Sequence, residues 1–164
     1  MKKYIFILST VLLLNSCDKP TDNSTNEIAF HMTAKVNNVD WYSISDSVVT
    51  SSLFSGGSQK RLLHISSYKY RQQGKVEFIS LDIFNCFADS TFTLAVNNWG
   101  TYLAGDSSKI YNTTISHQGF VTITKYDTIN NVVTGKFQFT AKEESGINTV
   151  SITNGAFNLQ FNKK

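Results

Sequence analysis

Residues 119–161 read GFVTITKYDTINNVVTGKFQFTAKEESGINTVSITNGAFNLQF, and this run decides the fold. Phe120 to Lys125 reads as a strand, with Val121 and Ile123 alternating with Thr122 and Thr124, and Tyr126-Asp127 with Asn130-Asn131 then marks a turn. Alternation resumes from Val132 to Lys142, stops at Glu144-Ser145-Gly146, and returns from Val150 to Phe161. A period of two, interrupted by Asn, Asp and Gly, is the pattern of strands with one buried face. The stretch is therefore expected to form a three-strand meander. In its middle strand Phe137, Phe139 and Ala141 take one face and Gln138, Thr140 and Lys142 the other. Asn154-Gly155 interrupts the last strand and is expected to be a bulge or bend before Phe157, Leu159 and Phe161.

The same alternation runs upstream. Phe30, Met32, Ala34 and Val36 interleave with His31, Thr33, Lys35 and Asn37, and Asn37-Asn38 then reads as a turn. Leu63 and Ile65 interleave with His64 and Ser66. Val76, Phe78, Ser80, Asp82 and Phe84 oppose Glu77, Ile79, Leu81 and Ile83, which places this strand centrally. Thr91 to Val96 is another, with Phe92, Leu94 and Val96 on one side. No stretch holds a 3.6-residue period, and β-branched and aromatic residues suit a pleated surface. Residues 28–164 are read as one all-β domain, a single antiparallel β-sandwich or open β-barrel of about eight to ten strands.

Residues 1–17 read MKKYIFILSTVLLLNSC. Lys2 and Lys3 precede an apolar run, Tyr4 to Leu14, that is too short for a membrane span of about 20 residues and fits a secretory signal. Leu14-Asn15-Ser16-Cys17 resembles the bacterial lipoprotein box Leu-x-(Ser/Ala/Gly)-Cys. The resemblance implies that residues 1–16 are a lipoprotein signal peptide and that Cys17 becomes a lipidated N-terminus held in the membrane. Residues 17–27 then comprise Cys17 and a polar tether, DKPTDNSTNE, with no apolar residue and the only proline of the chain. Ten extended residues reach about 35 Å. Asp18 and Asp22 resemble the short acidic export signals of surface lipoproteins in Bacteroidota. The address expected is the outer membrane, on either its periplasmic or its surface face.

Signal cleavage also changes the charge. The chain has 15 Lys and Arg against 12 Asp and Glu, and losing Lys2 and Lys3 brings the two close to balance. A near-neutral domain with scattered basic residues offers nucleic acid no electrostatic footprint. With Cys17 acylated, Cys86 has no second cysteine to pair with and is expected to be a buried structural thiol.

No catalytic signature stands out. His31, His64 and His117 lie 33 and 53 residues apart, unlike the short spacings of zinc sites, and are expected to be solvated. Neither metal nor cofactor is expected. Gly56-Gly57 sits in a Ser-rich segment without the strand and helix of a phosphate loop, and reads as a flexible connection. The acids are scattered singly apart from Glu143-Glu144, so no glycosidase pair is marked. Asp46, Asp106 and Asp127 lie in loops that do not match a calcium-binding loop.

Aromatic residues carry the remaining signal. Trp41-Tyr42 follows a Val39-Asp40 turn, and Trp99-Gly100-Thr101-Tyr102 is read as an Asn/Gly loop; Tyr68, Tyr70 and Tyr111 add to them. Rings beside Asn, Asp and Gln are how β modules hold sugars. Trp41, Tyr42, Trp99 and Tyr102 are the candidate ligand-binding residues, against the plainer reading that both tryptophans pack over core edges.

Three stretches resemble a family of small Bacteroidota lipoproteins of uncharacterised function. They are Thr33 to Trp41, the run from Gly119 to Ala141, and Val150 to Phe157 with its Ile-Thr-Asn-Gly-x-Phe motif. The resemblance implies a single β domain in a lipid-anchored, cell-envelope setting, and its turns and core aromatics assign no site residue. The expected function is a non-enzymatic, lipid-anchored β domain that binds a glycan or a protein partner. The alternatives are an envelope hydrolase, with a site assembled from distant histidines and acids, and a structural or self-protection lipoprotein.

Overall fold

The computed structural model describes residues 31–43, 48–54, 60–70, 75–105, 109–160 and 162–163. Residues 1–27, expected to hold a signal peptide, Cys17 and a tether, lie outside the described residues, as do Asp46, Gly56-Gly57 and Asp106.

Among the described residues the chain forms twelve strands: β1 (His31–Val36), β2 (Val39–Tyr42), β3 (Val48–Phe54), β4 (Lys60–Tyr70), β5 (Val76–Phe84), β6 (Ser90–Leu94), β7 (Trp99–Ala104), β8 (Lys109–Asn112), β9 (Gly119–Asp127), β10 (Val132–Glu143), β11 (Thr149–Gln160) and the two-residue β12 (Asn162–Lys163). They join in one nearly closed, barrel-like sheet of order β12-β3-β4-β5-β7-β8-β10-β11-β1-β2, antiparallel except for the short β12–β3 pair. The all-β class holds, and a continuous sheet favours the barrel over two separate layers.

The meander β9–β10–β11 organises the rest. At twelve residues β10 is about 40 Å long, enough to pair with two neighbours along one edge. Its Val132–Phe139 part pairs with β9, and Lys142 and Glu143 pair with β8. The sheet forks there. One branch runs through β9 to β6, the other through β8 and β7 to β5, β4 and β3.

Alternation decides what enters the core. Phe137, Phe139 and Ala141 of β10, Ile152, Phe157 and Leu159 of β11, and Ile79, Leu81 and Ile83 of β5 are all buried. Phe137 stacks on Phe139 at 6.3 Å and meets Phe157 at 6.2 Å. Cys86 lies in the same core, 5 % exposed. As the central strand of its branch, β5 pairs with β4 and β7, and Ser80 and Asp82 on its opposite face are buried too.

Local backbone chemistry sets the register. Asn37 and Asn38 have φ of 48° and 66° and close a two-residue hairpin between paired Val36 and Val39. Both central residues of such a turn need positive φ, which asparagine tolerates. The Asn37 side-chain oxygen also accepts the Ser151 N–H (2.9 Å), tying the hairpin to β11. The Asn37-Asn38 turn stands where the sequence places it, whereas Val39 and Asp40, read as a turn before Trp41, belong to β2. The Asn154-Gly155 interruption is a bulge. Between Ile152 and Gly155, β11 carries one residue more than β10 does between Phe139 and Phe137, and Asn154 has φ of 51°.

Candidate ligand-binding site

The four candidate aromatic residues divide between core and surface. Trp41 is 2 % exposed and Tyr102 5 %, so neither can serve as an exposed platform. The reason is strand parity: Trp41 pairs with inward-facing Ala34, and Tyr102 with inward-facing Ile79. The Tyr102 hydroxyl donates to Glu77 Oε1 inside the barrel (3.1 Å). Trp99 to Tyr102 is not a loop but the start of β7. Tyr42 is exposed on β2, with the Lys69 ammonium 4.9 Å from its ring centroid. In the sheet order β2 stands far from β7, so Tyr42 and Trp99 do not share a site.

Trp99 is the candidate that meets solvent beside a concavity. Asp82 and Trp99 are paired across β5 and β7, so the indole lies on the face opposite Leu81 and Ile83. Its ring contacts Phe84 at 5.8 Å in a tilted arrangement. Phe84, Asn85, Val96, Asn97, Asn98 and Trp99 line a cleft of about 400 Å³. Asn98 shapes the rim: its Oδ1 accepts the Phe84 N–H (2.8 Å), its Nδ2 donates to the Thr93 carbonyl (3.3 Å), and its carbonyl accepts the Ala95 N–H (2.7 Å). Asn85 and Asn97 are exposed on the same rim, and Asn85 has φ of 54°. Val96 is 62 % exposed.

One strand beyond Asp82, on β4, stands a histidine that the sequence offers only for the alternative of a site assembled from distant histidines and acids. His64 pairs with Asp82 across β4 and β5, and its Nδ1 lies 2.7 Å from Asp82 Oδ1. The expectation of a solvated histidine is thus corrected. The hydrogen bond to Asp82 holds the imidazole pKa above its usual value, outweighing the opposite effect of burial. His64, Asp82 and Trp99 form one row across three strands. Thr101 lies in the adjacent row, its hydroxyl donating to Asn112 Oδ1 (2.8 Å). A sequence signal for the pair existed. If β4 and β5 pair antiparallel as sequence neighbours with Tyr70 opposite Val76, the register brings His64 opposite Asp82.

The other titratable residues are engaged elsewhere. His31 is exposed at the start of β1, and His117 lies in a turn with its Nδ1 3.2 Å from the Thr114 hydroxyl. Asp127 accepts the Asn130 N–H (2.9 Å), the Ile129 N–H (3.0 Å) and the Asn130 side-chain amide (2.8 Å). These bonds hold its pKa far below the usual carboxylate value, so it caps a hairpin turn. Glu143 meets Lys109 at 2.9 Å and accepts from Asn148 (2.6 Å), which fixes the β10–β11 turn. Among the described residues no three His, Cys, Asp or Glu side chains are grouped to hold a metal ion.

The model of a family described as a domain of unknown function, DUF6252, matches residues 31–159, and the chain belongs to that family. No curated protein and no solved structure matches it.

Proposed function

We propose that this DUF6252 domain is the displayed part of a lipid-anchored cell-envelope protein, and that it binds a glycan without catalysis through the Trp99 face of β5 and β7. The observation that carries the reading is the part-exposed Trp99 indole bordering an open cleft rimmed by Asn85 and Asn97. A pyranose offers an apolar C–H face ringed by hydroxyls, and it needs a flat aromatic surface with amides at its edge. Phe84 braces the indole, so little side-chain freedom is lost on binding.

The anchor rests on Leu14-Asn15-Ser16-Cys17, on the polar tether behind it and on the resemblance to Bacteroidota lipoproteins. Among the described residues no helix is long and apolar enough to cross a membrane. Acyl chains on Cys17 would supply the attachment, to the outer membrane.

The test is a glycan array probed with the mature chain carrying Cys17→Ser, made soluble without lipid. Binding that Trp99→Ala removes and Tyr42→Ala leaves intact supports the reading. No glycan signal at all would sink it and leave a protein partner or a structural role. A hydrolytic reading has one observation in its favour, the His64–Asp82 contact, which orients an imidazole as a base. It requires turnover of an ester or glycoside that His64→Ala abolishes.

A further inference from the structure

We infer that the Trp99 site continues across β5 to His64, and that its ligand is an oligosaccharide carrying a carboxylate on the sugar beside the one stacked on the indole. The inference rests on the glycan-binding reading of Trp99.

Geometry sets the length. His64, Asp82 and Trp99 occupy one row, on β4, β5 and β7. Two strand spacings separate the outer members, about 10 Å. That is the reach of a disaccharide, with one ring over Trp99 and the next at His64.

Charge sets the chemistry. On the sheet face that carries His64, from Leu62 to Tyr70 on β4 and at the same-face positions paired with them on β5 and β7, Asp82 is the one carboxylate and His64 the one basic group; Lys69 and Glu77, paired with each other, take the opposite parity. The β3 positions in the neighbouring rows are Val48, Thr50 and Ser52, all uncharged, and Lys60 takes a same-face register position four residues before His64. The pair is not symmetric towards solvent: the His64 side chain is 35 % exposed and that of Asp82 12 %. Asp82 occupies Nδ1 and leaves Nε2 as the ring nitrogen for a ligand. With Asp82 below and His64 outermost, an incoming molecule meets the positive end. A carboxylate accepting from an imidazolium N–H makes a charge-assisted hydrogen bond, stronger than a neutral hydroxyl would. The raised His64 pKa keeps the ring cationic further up the pH scale.

The experiment measures binding of the Cys17→Ser mature chain to a panel of uronic-acid oligosaccharides and to their carboxyl-reduced counterparts, by calorimetry. The acidic forms are expected to bind about tenfold more tightly in mildly acidic buffer. His64→Gln should bring the two series level while leaving the weaker, neutral binding in place. Trp99→Ala should remove both. In the wild-type chain the preference should decline as pH rises through the His64 pKa, a readout that does not depend on the variant folding. Equal affinity for the two series, or a preference that survives His64→Gln and rising pH, overturns the inference and leaves glycan binding standing. Failure to bind any member of either series, or binding indifferent to Trp99→Ala, overturns the glycan reading beneath it.

Discussion

His64 and Asp82 face each other directly across the β4–β5 pair, Nδ1 to Oδ1 at 2.7 Å, on a sheet face otherwise made largely of serine, threonine and aromatic side chains. The pair gives folding a pH dependence of definite sign. Because the folded-state pKa of His64 is raised, its contribution to stability is fully present below the unfolded histidine pKa and is lost as pH rises through the folded value. Asp82→Asn should therefore lower the melting temperature most between about pH 5 and 6, above carboxylate and below imidazole titration. The difference should narrow towards neutral and alkaline pH. With His64 about one-third exposed, the effect should be on the order of 1 kcal/mol or less. NMR titration of the His64 ring should show a lower pKa in the variant, and an unchanged titration would refute the assignment.

The two tryptophans should respond in opposite ways. Trp41 is buried in the core, and its Nε1 has no hydrogen-bond partner among the described residues. Trp41→Ala should cost about 3–5 kcal/mol in chemical denaturation. Trp41→Phe should cost much less, because it keeps most of the packed area and removes a buried N–H that has no acceptor among the described residues. Trp99→Ala should cost about 1–2 kcal/mol, since the indole is part-exposed and loses chiefly its contact with Phe84. Ligand binding should follow Trp99 and not Trp41. A Trp41→Phe variant that kept its fold but lost binding would contradict this division.

The pattern of legibility follows from which forces are local. The meander from Gly119 to Gln160 was readable because each strand is long enough to display its period, and its Asn turns favour positive φ. The stretch from Trp99 to Tyr102 misled because Gly100, after Asn97-Asn98, looks like a turn. In the fold a Cβ at Gly100 would lie 2.9 Å from the Phe139 ring, so the glycine makes room for a core aromatic inside a strand. Trp41 and Tyr102 misled for a related reason: strands of four and six residues are too short to show which parity faces inward. The His64–Asp82 contact is tertiary. Each residue alone is a polar member of an alternating strand, and only the register across β4 and β5 joins them.

The anchor can be tested apart from the fold. Each acyl CH₂ buried in a bilayer contributes about 0.8 kcal/mol, so two or three chains hold a protein effectively permanently while an unacylated chain has no such hold. Cys17→Ser should move the protein from the membrane fraction to the soluble fraction and leave its melting temperature unchanged, since Cys17 precedes the domain matched by the family model. A variant that still sediments with membranes to the wild-type extent would end the lipoprotein proposal. Protease added to intact cells would then distinguish the two faces of the outer membrane, with cleavage expected only for surface display.

The β11 bulge should prove intolerant in a residue-specific way. It is opposed on both sides: β10 and β1 each skip one residue where β11 passes from Ile152 or Thr153 to Gly155 or Ala156. Asn154 there has φ of 51°, and a Cβ on Gly155 would come within 2.6 Å of the Phe137 carbonyl and 2.7 Å of its ring. Gly155→Ala must displace a core phenylalanine and should cost about 1–3 kcal/mol. Asn154→Gly keeps the left-handed backbone available and should change stability by less than about 1 kcal/mol. Asn154→Val forces a β-branched residue into that region and should cost about 1–2 kcal/mol, although position 154 is exposed and loses no packing. Denaturation midpoints for the three variants would rank Asn154→Gly above both others. If Asn154→Val were as stable as Asn154→Gly, the bulge would not be setting the register of β1 and β10 about β11.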